Sequence, residues 1–318
     1  ELRAVVEADA VVFEGQTVPD PVVNRLAENR VVLLGETHHL REHWAFVAEL
    51  MSELHGAGFR QLLVERPRMN DWLIDDYVRG GELAPDWVPP PETDGIDLAL
   101  PVDYPDMSPE AQHQAIEKLS TTLGDSRSQL VDTWGTSHYA QVAEMIEVEA
   151  VSIDIREQRE HDDNGAARSR EDLIKQLVDR RIAEDPGGTV INIGAHHAQK
   201  SHLMGTEQQW LGDYLAHESA VVAGSIIVVG FASARTELEA GAGGTPFDIV
   251  DSASPDNELL RVIAEKWPDQ TVFLPLDDPL FEDRRVGYNS EDVIYATSLG
   301  EHYDALIQYG LAHRMPID

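Results

Sequence analysis

The chain alternates between unbroken apolar runs and stretches in which apolar residues return every three or four positions. "DPVVNRLAEN" (20–29) predicts a short helix, with Asp20 as N-cap and Pro21 at the first helical position, where a missing N–H costs nothing. "RVVLLG" (30–35) predicts a buried strand. From Leu40, the residues Trp44, Val47, Leu50, Met51 and Leu54 keep helical spacing until "HGAG" stops them. "RQLLVE" (60–65) is the next strand. Strand, helix and strand in such close succession predict a crossover unit with parallel strands.

The alternation breaks after Glu65. "GELAPDWVPPPETDGIDLALPVDYPD" is rich in Pro and Asp, has no sustained period, and reads as loop between two helical stretches, "NDWLIDDYVRG" and "SPEAQHQAIEKLSTTL". Residues 67–150 are therefore expected to form a helical, Pro-rich insertion over the carboxyl ends of the strands, a lid and not a separate domain. Order resumes with "AVSIDI" (150–155) as strand and "SREDLIKQLVDRRIAE" (169–184) as amphipathic helix. "DPGG" breaks that helix and "TVINIG" (189–194) is another buried strand. "EQQWLGDYLAHE" (207–218) reads as helix and "GSIIVVGFA" (224–232) as strand. "QTVFLPL", "DVIYAT" and "YDALIQY" are further strands with weaker helices between them. The expected fold class is α/β: one domain over 1–318, with a mostly parallel twisted sheet and helices on both faces.

Composition narrows the function classes. The formal net charge of -34 argues against nucleic acid and anionic membranes as partners, because both need clustered Lys and Arg. Only four of the 24 basic residues are lysines (Lys118, Lys175, Lys200, Lys266). An acidic, lysine-poor surface over a well-patterned core fits a high-salt cytoplasm, where screening over a few ångströms removes self-repulsion. With no cysteine, disulfides, thiolate metal sites and a cysteine nucleophile are excluded. No run approaches the roughly 18–20 apolar residues of a membrane span. The first residues, "ELRAVVEADAVV", lack the basic start and apolar middle of a signal peptide.

Candidate chemistry collects where strands end, which is where an open parallel sheet binds ligands. One strand runs into Glu36-Thr37-His38-His39, a second into Glu65-Arg66, a third into Gly194-Ala195-His196-His197, and a fourth ends in Asp154 and Arg156. If the strands are neighbours, imidazoles, carboxylates and a guanidinium converge: a base, its orienter and cationic donors, as acyl-ester hydrolysis requires. Blander roles fit each residue alone. Glu36 could cap the following helix, and Glu65 could pair at the surface with Arg66 or Arg68. His39 and His43, four apart without an HExxH arrangement, fit a solvated face better than a metal pair. His55, His113, His161, His217, His302 and His313 sit in surface or capping contexts. There is no GxSxG elbow, no GxxxxGK[ST] phosphate loop and no GxGxxG opening a helix, so the familiar serine hydrolases, ATPases and dinucleotide enzymes are disfavoured.

"VVLLGETHH", "LLVERP", "SREDLIKQLVDRRIAEDPGGTVINIGAHHAQKSH" and "WLGDYL", in this order, resemble the erythromycin esterase-like family. That family belongs to a broader group with the ChaN-like haem-binding lipoproteins and the TraB/Tiki proteins. "YDALIQYGLAHRMPI" is similar to the family's last strand. The resemblance implies a carboxylate at Glu36 and a general-base histidine at His38 or His39. Erythromycin esterases usually place two residues between that Glu and His, and ChaN-like members one. The sequence satisfies both, and the choice leans to His38, leaving His39 to line the pocket. The resemblance further implies Glu65 as the second-strand carboxylate, His196 as the second-motif histidine and Arg170 as an arginine of the site. Arg66, Asp154, Arg156 and His197 are expected to contact substrate. The esterases tend to carry His-Asn-Ala-His where this chain has His196-His197-Ala198-Gln199, which puts macrolide specificity in doubt.

The implied activity is hydrolysis of a small-molecule carboxylic ester or lactone by His/Glu general-base activation of water, without a cofactor. Two alternatives come from the same group. One is a Tiki-like hydrolase with zinc or manganese on His38, Glu65 and His196; the other is a ChaN-like haem-binding protein with a His axial ligand.

Overall fold

The computed structural model describes residues 1–14, 17–36, 40–67, 149–154, 170–202, 209–222, 224–238, 258–282, 285–290 and 293–314. The expected insertion over 67–150 falls outside them but for its ends, and His38, His39 and Arg156 also lie outside.

Elements are numbered in chain order. The first are helix α1 (Leu2–Asp9), strand β1 (Val11–Phe13), α2 (Asp20–Ala27), β2 (Val31–Glu36), α3 (Arg41–Gly56), β3 (Phe59–Pro67) and β4 (Glu149–Asp154). After these come α4 (Arg170–Glu184), β5 (Gly188–Gly194), the single turn α5 (Ala195–Ala198), α6 (Leu211–His217), β6 (Ile226–Ser233) and β7 (Thr236–Leu238). The rest are α7 (Glu258–Lys266), β8 (Thr271–Pro275), β9 (Arg285–Ser290), β10 (Val293–Ser298), α8 (Leu299–His302), β11 (Ala305–Tyr309) and β12 (Ala312–Arg314).

Eight described strands form one sheet in the order β1-β8-β11-β6-β2-β5-β3-β4. β11, β6, β2, β5, β3 and β4 pair in parallel, and β8 runs antiparallel to both its neighbours. The fold is thus α/β with a mostly parallel sheet. Every residue of β2 is buried, because this central strand is covered on both faces; that is why it reads as a continuous apolar run. Its alternate residues serve two cores. Val32 and Leu34 pack with Val47, Leu50, Met51 and Leu54 of α3, while Val31 and Leu33 pack with Ile174, Val178 and Ile182 of α4 and Leu211 and Leu215 of α6. β2 and β5 are neighbours whose outgoing chains lead to helices on opposite faces, so their carboxyl ends mark a topological switch point.

The boundaries differ from expectation in small ways. Pro19, in extended conformation, is the N-cap of α2, and Asp20 is its first residue. Asp20 makes no side-chain cap bond, so its carboxylate acts there only as a first-turn charge. α1 and β1, not anticipated, dock through Leu2 and Val6 and through pairing with β8. Among the described residues no helix is long and apolar enough to cross a membrane.

Candidate active site

Adjacent parallel strands put Glu36 beside Gly194 and Leu34 beside Asn192. Glu36 and Asn192 therefore share the α3 face of the sheet. The Asn192 amide nitrogen donates to the Glu36 carboxylate. Its oxygen lies 2.6 Å from His43 Nε2 on the first turn of α3, so Nε2 is the donor. All three residues are buried. His43 also meets Phe231 edge-on, with ring centroids 4.3 Å apart. This corrects the solvated-face expectation for His43. Nor does Glu36 cap α3: Leu40 is the N-cap, and no side chain caps there.

Glu65 follows Val64 on β3 and points to the other face. Its Oε2 accepts the Gly194 N–H at 2.7 Å, and its Oε1 lies 3.6 Å from His197 Nε2. It is buried, not at the surface. Across the ring, His197 Nδ1 is 2.6 Å from Glu171 Oε2, and Glu171 Oε1 accepts the Leu211 N–H at 2.7 Å. His197 thus stands between two buried carboxylates at the strand edge. Trp210 packs against the edge of the His197 ring at 4.8 Å and lies tilted to the half-buried His196 at 6.2 Å.

Close packing makes this possible. A Cβ on Gly35 would stand 3.2 Å from Ala198 Cβ, so the glycine lets the α5 turn lie on β2. A Cβ on Gly212 would fall well inside van der Waals contact of the Ala198 carbonyl, so α6 can press on α5 only with glycine there. α6 is also tied to α4: Tyr214 donates to Asp179, and Ser219 Oγ donates to the same carboxylate at 2.6 Å. The Asp179 hydrogen bond, with burial and the negative charges of Asp179 and Glu218, pushes the Tyr214 phenol up to about 12.

Of the residues expected at the site, Glu36, Glu65, His196 and His197 stand at or just past the ends of β2, β3 and β5. The backbone places Arg66 near the end of β3, Asp154 at the end of β4 opposite Pro67, and Arg170 as the first residue of α4. Glu171, Asn192 and His43 were not anticipated. Signals existed for two: Asn192 interrupts an aliphatic strand, and His43 stands four before Val47 and seven before Leu50 on the apolar face of its helix. Glu171 carries no mark that separates it from the acidic first turn of any helix. Among the described residues no three of His, Asp and Glu gather to hold a metal ion. The metal set expected from the sequence includes His38, outside those residues.

No family model and no curated protein matches the sequence. Three solved structures share the fold. A Bacillus cereus protein has a TM-score of 0.61 at 13% identity, covering 100% of this chain and 98% of its own. A succinoglycan biosynthesis protein has a TM-score of 0.57 at 14% identity, with 100% and 98% covered. An erythromycin esterase mutant in its open conformation has a TM-score of 0.53 at 14% identity, with 93% and 94% covered. At these identities the likeness is one of fold.

Proposed function

We propose that the protein is a hydrolase of a small carboxylic ester or lactone that activates water with imidazole–carboxylate pairs at the carboxyl edge of its sheet. The observation that carries this is the pair Glu65–His197, braced by Glu171 and placed at the topological switch point. The distant fold likeness to an erythromycin esterase supports the same class of chemistry without naming the substrate. Water held near His197 gives up a proton as its oxygen bonds to the ester carbonyl. Glu36, at the neighbouring strand end, orients His38 or His39 of its own motif as a second proton carrier. To His196 and Arg170 we assign stabilisation of the oxyanion, and to Arg66, Asp154 and Arg156 binding of the substrate. Positioned proton transfer contributes on the order of 10²–10⁴-fold and a positioned oxyanion donor about 10²–10³-fold, enough for an activated ester or lactone but small for an amide. We place the whole chain in one α/β unit with 67–150 as the lid, and assign its acidity to a concentrated-salt cytoplasm.

The test is an ester and lactone panel, a macrolide included, read by mass spectrometry in dilute buffer and in molar potassium chloride, with and without chelator. Turnover that survives the chelator, rises with salt and is lost in Glu65→Gln is the expected result. Loss with the chelator and recovery on adding zinc or manganese would move the chemistry to a metal. Absence of turnover across the panel would remove the hydrolase assignment.

A further inference from the structure

Glu171 is a buried carboxylate on the first turn of α4, outside every strand-end motif. Its two oxygens serve different partners, His197 Nδ1 at 2.6 Å and the Leu211 N–H at 2.7 Å. An ionised carboxylate only accepts hydrogen bonds, so the proton between Glu171 and His197 belongs to Nδ1. In the neutral ring the lone pair is then on Nε2, the atom turned toward Glu65. At 3.6 Å that approach is longer than a hydrogen bond and does not compete with the 2.6 Å Glu171 contact for the ring proton.

We infer that Glu171 is the positioning residue of His197: it fixes the Nδ1–H tautomer and makes Nε2 the working atom of the proposed hydrolase. This rests on the hydrolase assignment for its purpose but not for its geometry. Three contacts keep the carboxylate in place. The Leu211 N–H holds one oxygen, Gly212 seats α6 on the Ala198 carbonyl, and Asp179 binds α6 back to α4 through Tyr214 and Ser219. In the reaction, Nε2 takes one proton from water as the new O–C bond forms. It returns that proton to the departing alkoxide as the ester C–O bond breaks, giving one acid and one alcohol. Glu171 stays ionised throughout and stabilises the transient imidazolium.

The experiment compares the full chain with Glu171→Gln and Glu171→Asp, using ring-labelled histidine and nitrogen NMR on the alkaline side of the imidazole titration; His197→Gln assigns the signal. The wild-type ring should carry its proton on Nδ1. Glutamine can still accept from Leu211 while its amide N–H turns to Nδ1, so in Glu171→Gln the proton should move to Nε2. On any ester turned over, kcat should then fall about 10²–10⁴-fold with KM little changed. Glu171→Asp should keep the Nδ1–H signal and recover part of the rate. A wild-type ring protonated on Nε2 overturns the inference, and so does a switched tautomer with undiminished kcat. If no ester is turned over, the tautomer alone decides the positioning role and only the hydrolase assignment fails. If Glu171→Gln does not fold, the wild-type and Glu171→Asp signals decide the same question.

Discussion

Two acid–imidazole groups face each other across the same sheet and are built differently. On the α3 face an amide stands between acid and base, in the order Glu36, Asn192, His43. On the α4 and α6 face the imidazole touches a carboxylate directly, in the order Glu65, His197, Glu171. His43 and Asn192 are wholly buried, whereas His197 and Glu65 keep 8% and 7% of their surface at the strand edge. A neutral amide lets an imidazole be buried without an ion pair and its desolvation cost. A direct carboxylate contact supports an imidazole that gains and loses a proton. On the hydrolase reading proposed above, Asn192 and His43 hold a frame on the α3 face, while His197 and its two carboxylates carry the chemistry on the other.

The largest expected effect breaks that comparison through paired substitutions. His197→Gln should lower turnover of any hydrolysed ester at least about 10³-fold, near 4 kcal/mol of transition-state stabilisation, with thermal stability little changed. On the opposite face, Asn192→Leu removes the donor to Glu36 and the acceptor for His43 together. It should cost about 3–4 kcal/mol of unfolding free energy, measured by denaturant titration. If Asn192→Leu were as stable as wild type, or His197→Gln as active, the division into frame and chemistry would collapse.

A third imidazole shows what burial does without a carboxylate partner among the causes of its shift. His302, at the end of α8, is buried, and its Nδ1 has no partner among the described residues. Burial, then the nearby charges of Lys200 and His202, push its pKa down to about 4. The unfolded chain, near 6.5, binds the proton first, so stability should fall as pH drops from about 6.5 through about 4. The gap corresponds to about 3 kcal/mol. Unfolding free energies of wild type and His302→Gln, from denaturant titrations across that range, should diverge by this amount in total; curves that stay parallel would mean that His302 is not held neutral.

The fold was legible where burial was two-sided. β2, β5 and β6 are covered on both faces, and "VVLLG", "TVINIG" and "SIIVVGFA" carry that directly. α1 was not legible, because only Leu2 and Val6 are buried on it, too few for a stripe. The strand-end acids and histidines stood out because a parallel sheet gathers its chemistry at one edge. What supports them did not. His43 and Asn192 are 149 residues apart in sequence, and Glu171 and Leu211 are 40 apart. Such pairs follow from strand order, and β5 lies between β2 and β3 although it comes after both. That His197 reaches Glu65 is likewise a matter of how one turn of α5 is rotated against Gly35 and Gly212, below what sequence periodicity resolves.

The smallest expected effect sharpens the second group. Tyr214 and Asp179 sit behind Glu171 and hold α6, yet no imidazole depends on them directly. Tyr214→Phe removes one hydrogen bond to a charged acceptor at a partly exposed position, a loss of about 1 kcal/mol. The phenol titrates near 10 in the unfolded chain and at about 12 when folded, so the folded state retains its proton longer. That contribution is therefore complete below about pH 10 and is lost as pH rises through about 12. Wild type should lose more stability than Tyr214→Phe over that alkaline range, by an amount that shrinks with added salt. Because α6 also rests on Gly212 and on the Leu211 N–H, the His197 tautomer should survive the substitution. If it did not, the hold on the imidazole would lie in the α4–α6 tie and not in the Glu171 carboxylate, and the two faces would differ less in kind than in how far their supports extend.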